Sequence, residues 1–127
     1  MISEGDALFA NDLVDVFEIN GHKVTLTHNG TDAISHLKTT NFDLVITNLF
    51  KSNGKNGFHL IGELLRMSKR KPLIIATTAK RRQKDKTEEM NYFLKQVEGL
   101  GVSATLEKPF DPAELLVIAD KLWAKLD

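Results

Sequence analysis

Polar side chains follow the short apolar runs of this sequence, and a further acidic turn lies near its start. The residues whose types could carry chemistry are Glu4, Asp6, Asn48, Thr77 and Lys108. A lysine ammonium can hold an anion as a point charge, and carboxylate oxygens are the ligands that Mg²⁺ prefers. Asn48 offers neither function, because its amide is neutral and its nitrogen lone pair is delocalised.

Other kinds of site are not indicated. The chain has no cysteine, which excludes disulfides, thiolate metal ligands and thiol nucleophiles. Its four histidines, His22, His28, His36 and His59, are scattered without the spacing of metal ligands. We therefore predict no transition-metal site.

Helical periodicity of apolar residues predicts five helices. They lie between Asp6 and Gly21, then over Asp32–Lys38, Phe58–Met67, Lys86–Gly99 and from Asp111 to about Leu126. Thr31 is expected to cap the second helix, and Asp111 to cap the last one with Pro112 in its first turn.

The last helix carries two apolar stripes. Leu115, Ala119, Leu122 and Leu126 form the stripe that we expect in the core. Leu116 and Trp123 form a second stripe, which fits either a partner surface or a wide contact with the sheet.

Four short apolar runs alternate with these helices and predict strands. They are His22–His28, Asp43–Asn48, Pro72–Ala76 and Val102–Leu106. Alternation of strands and helices favours a parallel sheet covered by helices on both faces. Right-handed crossovers then give a doubly wound α/β domain.

Length and charge limit the function classes. The 127 residues fit one domain, residues 1–127. Lys+Arg and Asp+Glu are both 17, so neither nucleic acid nor an anionic membrane is an expected partner. No apolar run approaches the ~20 residues that span a bilayer, and no basic region precedes an apolar one at the start. These features are typical of a cytoplasmic protein.

Four motifs in a fixed order identify a family resemblance. Lys108-Pro109-Phe110 follows a strand and precedes a helix that begins at Asp111-Pro112. The other three are the strands ending at Asn48 and Thr77 and the acidic turn Glu4-Gly5-Asp6. From about Ile2 to Leu126 the chain resembles the response-regulator receiver domain of two-component systems. The resemblance implies a flavodoxin-like, five-stranded sheet of order 2-1-3-4-5 and a role in phosphorelay signal transduction rather than an enzyme.

In this family an aspartate carboxylate accepts a phosphoryl group while Mg²⁺ neutralises the crowded oxygens. By the resemblance, Lys108 matches the phosphate-binding lysine and Thr77 matches the switch hydroxyl. Glu4 matches the first residue of the acidic pair. These positions retain the family's residue types.

Three other positions, Asn48, Gly5 and Thr105, depart from the pattern. Asn48 falls on the phosphoacceptor. Gly5 falls on the main metal-binding acid, and the acidic Asp6 lies one residue further on in the turn. Thr105 replaces the aromatic residue that usually changes conformation with the switch hydroxyl. The departures affect the phosphoacceptor, the metal-binding acid and the aromatic switch residue together. We therefore predict a pseudo-receiver with no catalytic residue, no cofactor and weak or absent Mg²⁺ binding.

The start of the chain allows two alignments. In the preferred one, Met1, Ile2 and Ser3 form a truncated first strand where about five residues are expected. In the other, Ala7–Ala10 is the strand and Asn11-Asp12 the acidic pair, which leaves a first helix of barely two turns. The preferred alignment predicts a gap beside strands Lys23–His28 and Asp43–Asn48, and such a gap favours a homodimer.

Three functional hypotheses follow from the resemblance and the departures. The first is a stand-alone degenerate receiver that contacts an unknown signalling protein through its fourth helix, fifth strand and fifth helix. The second is an active phosphorelay receiver that uses Glu4 or Asp6. The third is a binder of small anions at the carboxyl ends of the strands.

Lys108 either holds an anion or pairs with Glu4 and hydrogen-bonds Asn48, and we favour the pairing.

One stretch is longer than family members usually have. The excess falls in Lys80–Glu89, where almost all residues are charged or polar. We expect a mobile loop or an extended start to the fourth helix there.

Overall fold

The computed structural model describes residues 1–49, 57–67, 72–78, 95, 99 and 101–126. The stretch Lys80–Glu89 lies outside the described residues. The same is true of the predicted helix Lys86–Gly99, apart from positions 95 and 99.

One parallel sheet organises the described part of the chain. Its strands are β1 (Ile2–Ser3), β2 (Leu26–Thr27), β3 (Leu44–Asn48), β4 (Leu73–Thr78) and β5 (Ala104–Glu107). They lie in the order β2-β1-β3-β4-β5, with every neighbouring pair parallel. The predicted doubly wound, flavodoxin-like topology is confirmed.

Four helices of the described residues connect or follow these strands. They are α1 (Ala7–Ile19), α2 (Gly30–Leu37), α3 (Gly57–Met67) and the C-terminal helix α4 (Pro112–Ala124). No helix in the described residues is long and apolar enough to cross a membrane.

Side-chain caps fix where the helices begin. Asp111 accepts a hydrogen bond from the backbone N–H of Ala113 at 2.9 Å, as predicted for α4. The prediction that Thr31 caps α2 is wrong, because Asn29 Oδ1 accepts from the backbone N–H of Asp32 at 2.9 Å. Asn is at least as good a cap as Thr, and the earlier start adds Gly30 to the buried side of the helix.

The core lies in two layers, one on each face of the sheet. Strand side chains alternate between the faces. The first layer joins α2 and α3 to the sheet and contains Ala33, Val45, Leu60, Ile61, Leu64 and Ile74. The second joins α1 and α4 to the sheet and contains Leu13, Phe17, Ile46, Ile75, Leu115 and Ala119. Leu126 does not join it, contrary to prediction, because α4 ends at Ala124 and leaves Leu126 68% exposed.

The first strand is a stub, as predicted from the preferred alignment. Residues Ala7–Ala10 begin α1, so the alternative alignment is wrong. The stub is nevertheless paired on both sides. Ile2 N–H donates to Thr25 O at 2.9 Å, and Met1 O accepts from Ile46 N–H at 2.9 Å.

A cleft of about 390 Å³ lies at the amino end of the stub. The residues that precede β2 and β3 line it, together with Phe17 and Trp123. Trp123 stacks on the ring of His22, with centroids 4.8 Å apart and planes at 28°. The cleft therefore lies where a longer first strand would continue.

The amino group of Met1 forms part of the cleft wall. It donates to Leu44 O at 2.8 Å. Burial lowers its pKa from 8.0 to about 5, and the carboxylate of Asp43 partly opposes this shift. Ammonium ions lose hydration when buried, so the folded state favours the neutral amine.

We predict that extending the first strand stabilises the domain. Placing a few alternating valine and isoleucine residues ahead of Met1 fills the cleft and pairs the lengthened strand on both sides. Each kcal/mol gained shifts Tm by roughly 3–5 °C for a domain of this size. Thermal unfolding measures the change. A glycine–serine extension of equal length is the control, and an equal Tm for the two extensions contradicts the prediction.

A second prediction concerns pH. Between the folded pKa of about 5 and the unfolded value of 8.0, the unfolded state binds more protons at Met1. Stability from this group is therefore full above pH 8 and is lost as pH falls towards 5. We expect up to about 4 kcal/mol of loss, at roughly 1.4 kcal/mol per pKa unit. Urea unfolding at several pH values measures it.

The control is a variant with a single glycine ahead of Met1, which converts the amine into an amide. Its free energy of unfolding should depend less on pH over this range. If the two proteins show the same pH dependence, the buried amine does not contribute.

Candidate functional site

The carboxyl ends of the strands bring four predicted site residues to one edge of the sheet. Asn48 ends β3 and is the register partner of Thr77 in β4. Lys108 follows β5, and its backbone N–H donates to Thr78 O at 2.8 Å. Glu4 follows β1, and its backbone N–H donates to Thr27 O at 3.0 Å. The parallel direction of all five strands causes this convergence.

Glu4 and Lys108 form an ion pair across the sheet edge. Lys108 Nζ lies 2.7 Å from Glu4 Oε1, although the residues are 104 positions apart in sequence. Glu4 is 3% exposed at its side chain and Lys108 21%. A charged pair this sheltered interacts more strongly than a surface pair, since water screens it less. The prediction that Lys108 pairs with Glu4 is confirmed.

An aromatic ring holds the same ammonium from another side. Lys108 Nζ lies 4.3 Å from the centroid of the Phe9 ring. Phe110 packs edge-on against Phe9, with centroids 5.2 Å apart and planes at 78°. The sequence analysis assigned Phe9 only to the apolar face of α1. The one sequence signal for this contact was Phe110 in the motif Lys108-Pro109-Phe110, because Phe110 packs against Phe9 of α1.

The backbone of Glu4 has a further neighbour that the sequence analysis did not assign to the site. His28 Nδ1 lies 3.1 Å from Glu4 O, and it donates in the tautomer that carries the proton on Nδ1. The carboxylate also accepts from the backbone N–H of Asp6, with Oε1 at 3.3 Å. Glu4 is therefore fixed by its main chain and its side chain together.

Asp6 has a structural role in this turn. Its Oδ1 accepts from the backbone N–H of Phe9 at 3.2 Å, which caps α1. The residue is exposed, whereas Glu4 is buried. A carboxylate at a helix N-terminus is stabilised there by the orphan amides and the helix dipole.

Gly5 lies between these two acids and has room for a side chain. A Cβ built on Gly5 would meet its nearest neighbour, His28 O, at 3.7 Å, an ordinary van der Waals distance. Its φ is not among the positive values of the chain. The glycine is therefore not required by the backbone.

The remaining predicted positions lie on the sheet itself. Thr77 is buried, and Thr105 is half-buried in β5, where it is the register partner of Ala76. Asn48 is half-buried. Within the described residues no group of three acidic or histidine side chains is placed to hold a metal ion.

The chemistry open to this edge follows from its charges. One buried carboxylate and one ammonium neutralise each other, and Asn48 is a neutral amide. The arrangement joins the first and last strands of the chain, and it leaves Glu4 as the one buried carboxylate among the described residues.

Comparison with known proteins gives a consistent result. Residues 1–120 match the model of the response regulator receiver domain. The chain is 30% identical over 129 aligned positions to the probable transcriptional regulator ycf29 of Pyropia yezoensis, covering 98% of this chain and 53% of that protein. It is 29% identical over 119 positions to the response regulator SaeR of Staphylococcus aureus, covering 91% and 47%.

A solved structure has a closely similar fold. It is the receiver domain of the Francisella response regulator 1452, with a TM-score of 0.76 and 21% identity over 99% of this chain and 96% of that one. The chain spans about half the length of the curated relatives it matches.

We predict that Glu4 and Lys108 are strongly coupled energetically. Lys108→Met leaves a buried carboxylate unpaired and should destabilise the domain by about 3 kcal/mol. Glu4→Gln combined with Lys108→Met should cost less than the sum of the single changes. Urea unfolding of the four proteins gives the coupling energy, which we expect to exceed about 1 kcal/mol.

The matched control is the pair Glu63–Arg66 on α3. Arg66 Nη2 lies 2.6 Å from Glu63 Oε1, but the Arg66 side chain is 74% exposed. Exposed pairs at this spacing contribute about 0.5 kcal/mol or less. A Glu4–Lys108 coupling no larger than that of the control pair overturns the prediction.

Proposed function

Since the chain belongs to the response regulator receiver domain family, we propose that it is a degenerate receiver that signals through protein contacts without aspartyl phosphorylation. Receivers are signalling modules and not enzymes. The observation that carries the proposal is the Glu4–Lys108 ion pair beside Asn48. The lysine that would hold a phosphoryl oxygen is neutralised by Glu4, at 2.7 Å.

The proposed loss of phosphorylation rests on what each side chain can do. The amide of Asn48 is not a nucleophile, so it cannot attack a phosphoryl group. Glu4 and Asp6 are the acids of the second hypothesis, an active phosphorelay receiver. The carboxylate of Glu4 is engaged by Lys108, and that of Asp6 caps α1. Both contacts favour the degenerate receiver.

The same charges support weak or absent binding of Mg²⁺. This ion is usually held by one or two carboxylates together with substrate phosphates. Glu4 is buried and already paired with an ammonium, and Gly5 brings no oxygen ligand from its side chain. Mg²⁺ would compete with Lys108 for the single negative charge of Glu4.

The third hypothesis, a small-anion site near Lys108, has less support. The ammonium is 21% exposed and lies between Glu4 and the ring of Phe9. An incoming anion would compete with a buried carboxylate for one charge. A ligand specific to the native state would raise Tm, so thermal shift with phosphate and sulfate tests this hypothesis.

A signalling partner is proposed to contact the side of the domain that carries β5 and α4. Val117 on α4 is 51% exposed and Leu126 just beyond it is 68% exposed. Apolar groups of this kind are found at partner interfaces. A homodimer that covers the gap beside the short first strand is an alternative. Cross-linking and pull-down with the purified domain distinguish a self-contact from another partner.

We predict that the chain forms no acyl phosphate. After incubation with a small phosphodonor and Mg²⁺, intact-mass measurement should show no added phosphoryl group, because neither Asn48 nor the engaged Glu4 supplies a free carboxylate. A hydroxylamine-sensitive phosphoryl adduct on the unaltered chain would falsify the proposal and support the second hypothesis.

The control restores the missing acids. Asn48→Asp with Gly5→Asp returns the acceptor and the second acid, and the space at Gly5 admits the new side chain. We expect this variant to gain the adduct and to bind Mg²⁺ more tightly than the unaltered chain in calorimetry. Asn48→Asp alone should raise the Mg²⁺ affinity less, since Gly5 still brings no carboxylate.

A further inference from the structure

The large apolar side chains that are exposed among the described residues all belong to α1, to α4 or to the end of α4. They are Leu8 and Ile19 on α1, Val117 on α4 and Leu126 just beyond it, between 51% and 83% exposed. α1 and α4 pack against each other on one face of the sheet, so their outward sides lie next to each other. Exposed apolar groups gathered on one side of a domain favour an interaction surface there.

The outward side of α1 combines apolar residues with an acid. Leu13 and Phe17 of α1 are buried in the core. At about 100° per residue, Leu8, Asp15 and Ile19 lie opposite them, within about 40° of one another around the helix, and all three are exposed. α1 contains no lysine or arginine, so the charge of Asp15 is not compensated within the helix.

The outward side of α4 combines small residues with a lysine. Leu115 and Ala119 of α4 are buried in the core. Opposite them around the helix lie the exposed residues Ala113, Val117, Lys121 and Ala124. The flanks of this side carry both signs of charge, from Glu114, Asp120 and Lys125.

The two helices begin at the same level of the domain. The Glu4–Lys108 ion pair joins the segments that precede them, and the caps Asp6 and Asp111 follow its two members within three residues. Both helices follow strands of one parallel sheet, so they run in the same direction. Equal distances from the two caps therefore correspond to equal heights along α1 and α4.

Residues at equal heights on the two helices are complementary. Asp15 is nine residues beyond its cap and Lys121 is ten, which places both about 14–15 Å along their helices. Neither side chain forms an ion pair with another described residue. Two further matches combine a large side chain on α1 with an alanine on α4, at two and at thirteen residues beyond the caps: Leu8 with Ala113, and Ile19 with Ala124.

We propose that this face binds a second copy of the chain, with α1 of each copy lying along α4 of the other. A two-fold axis parallel to the helices and between them places α1 opposite α4 of the other copy and keeps the heights equal. The contact between Asp15 and Lys121 then occurs twice, as do both apolar matches. A surface that carries both halves of each match is complementary to itself, and this identifies the occupant. A signalling partner that contacts Val117 would compete with the second copy.

The test is sedimentation velocity of the purified chain over a range of concentrations. We expect a concentration-dependent dimer that weakens at about 0.5 M NaCl, because salt screens exposed charge pairs. Asp15→Lys and Lys121→Glu should each raise the dissociation constant of the dimer about tenfold or more, because each change places like charges at two symmetric contacts. Both positions are exposed, and circular dichroism checks that the variants remain folded.

The charge swap tests the pairing itself. Asp15→Lys combined with Lys121→Glu in one chain restores opposite charges at both contacts, and should return the dissociation constant to within about threefold of the unaltered value. An equimolar mixture of the two single variants should form a mixed dimer for the same reason. Lys38→Glu, at the exposed C-cap of α2 on the other face of the sheet, is the control and should leave the dimer unchanged.

Three results would overturn the proposal. They are a monomer at every concentration up to about 1 mM, single variants that dimerise as tightly as the unaltered chain, and a charge-swapped chain that dimerises no better than the single variants. A dimer that survives both single changes but is lost when the first strand is extended would lie at the gap beside that strand instead. None of these results depends on Asn48, so the proposed function is tested separately.

Discussion

The described structure depends on the pairing of the first three residues between β2 and β3. The strand order places β1 inside the sheet, so Met1–Ser3 must satisfy hydrogen-bond partners on both sides. Met1 and Ile2 do so with Thr25, Leu44 and Ile46. Without this contact β2 would have no connection to the rest of the sheet, because β1 is its one neighbour there. A stub this short can hold the sheet together because both of its edges are used.

The same strand places Glu4 at the carboxyl ends of the strands. There the charge of Glu4 is balanced by Lys108, whereas the family resemblance implies a lysine that holds a phosphoryl oxygen. Mutual attraction of a buried carboxylate and an ammonium offsets the loss of hydration that burial imposes on each. Lys108 also lies over Phe9, so a third group would have to compete with two existing contacts. An ion pair that engages both charges in this way fits the proposal that the amide of Asn48 stands in place of a phosphoacceptor.

The sequence allowed the strand order, the short first strand and the Glu4–Lys108 pairing to be predicted. The alternation of apolar runs and helices predicted a doubly wound parallel sheet, and the resemblance to receiver domains implied the strand order and placed the motif residues at strand ends. The helix caps and the contacts between distant elements were harder to predict from the sequence. Asn29 and Thr31 are both acceptable caps, and the choice between them depends on how α2 packs. The Lys108–Phe9 contact joins residues from distant elements, and only the folded sheet brings them together. The role of Asp6 as a helix cap was missed because its acidic charge suggested a site residue.

The two ends of β1 therefore present opposite situations within one strand. At its carboxyl end, two buried charges satisfy each other and leave little affinity for a third group. At its amino end, the amine of Met1 is buried and donates to Leu44 O at 2.8 Å, and burial lowers its pKa to about 5, so the folded state holds it neutral. A closed ion pair must be broken before a third group can bind to it, whereas a buried neutral amine destabilises the fold only when it is protonated. The carboxyl end of β1 therefore makes the stability of the domain depend on a charged partner, and the amino end makes it depend on pH.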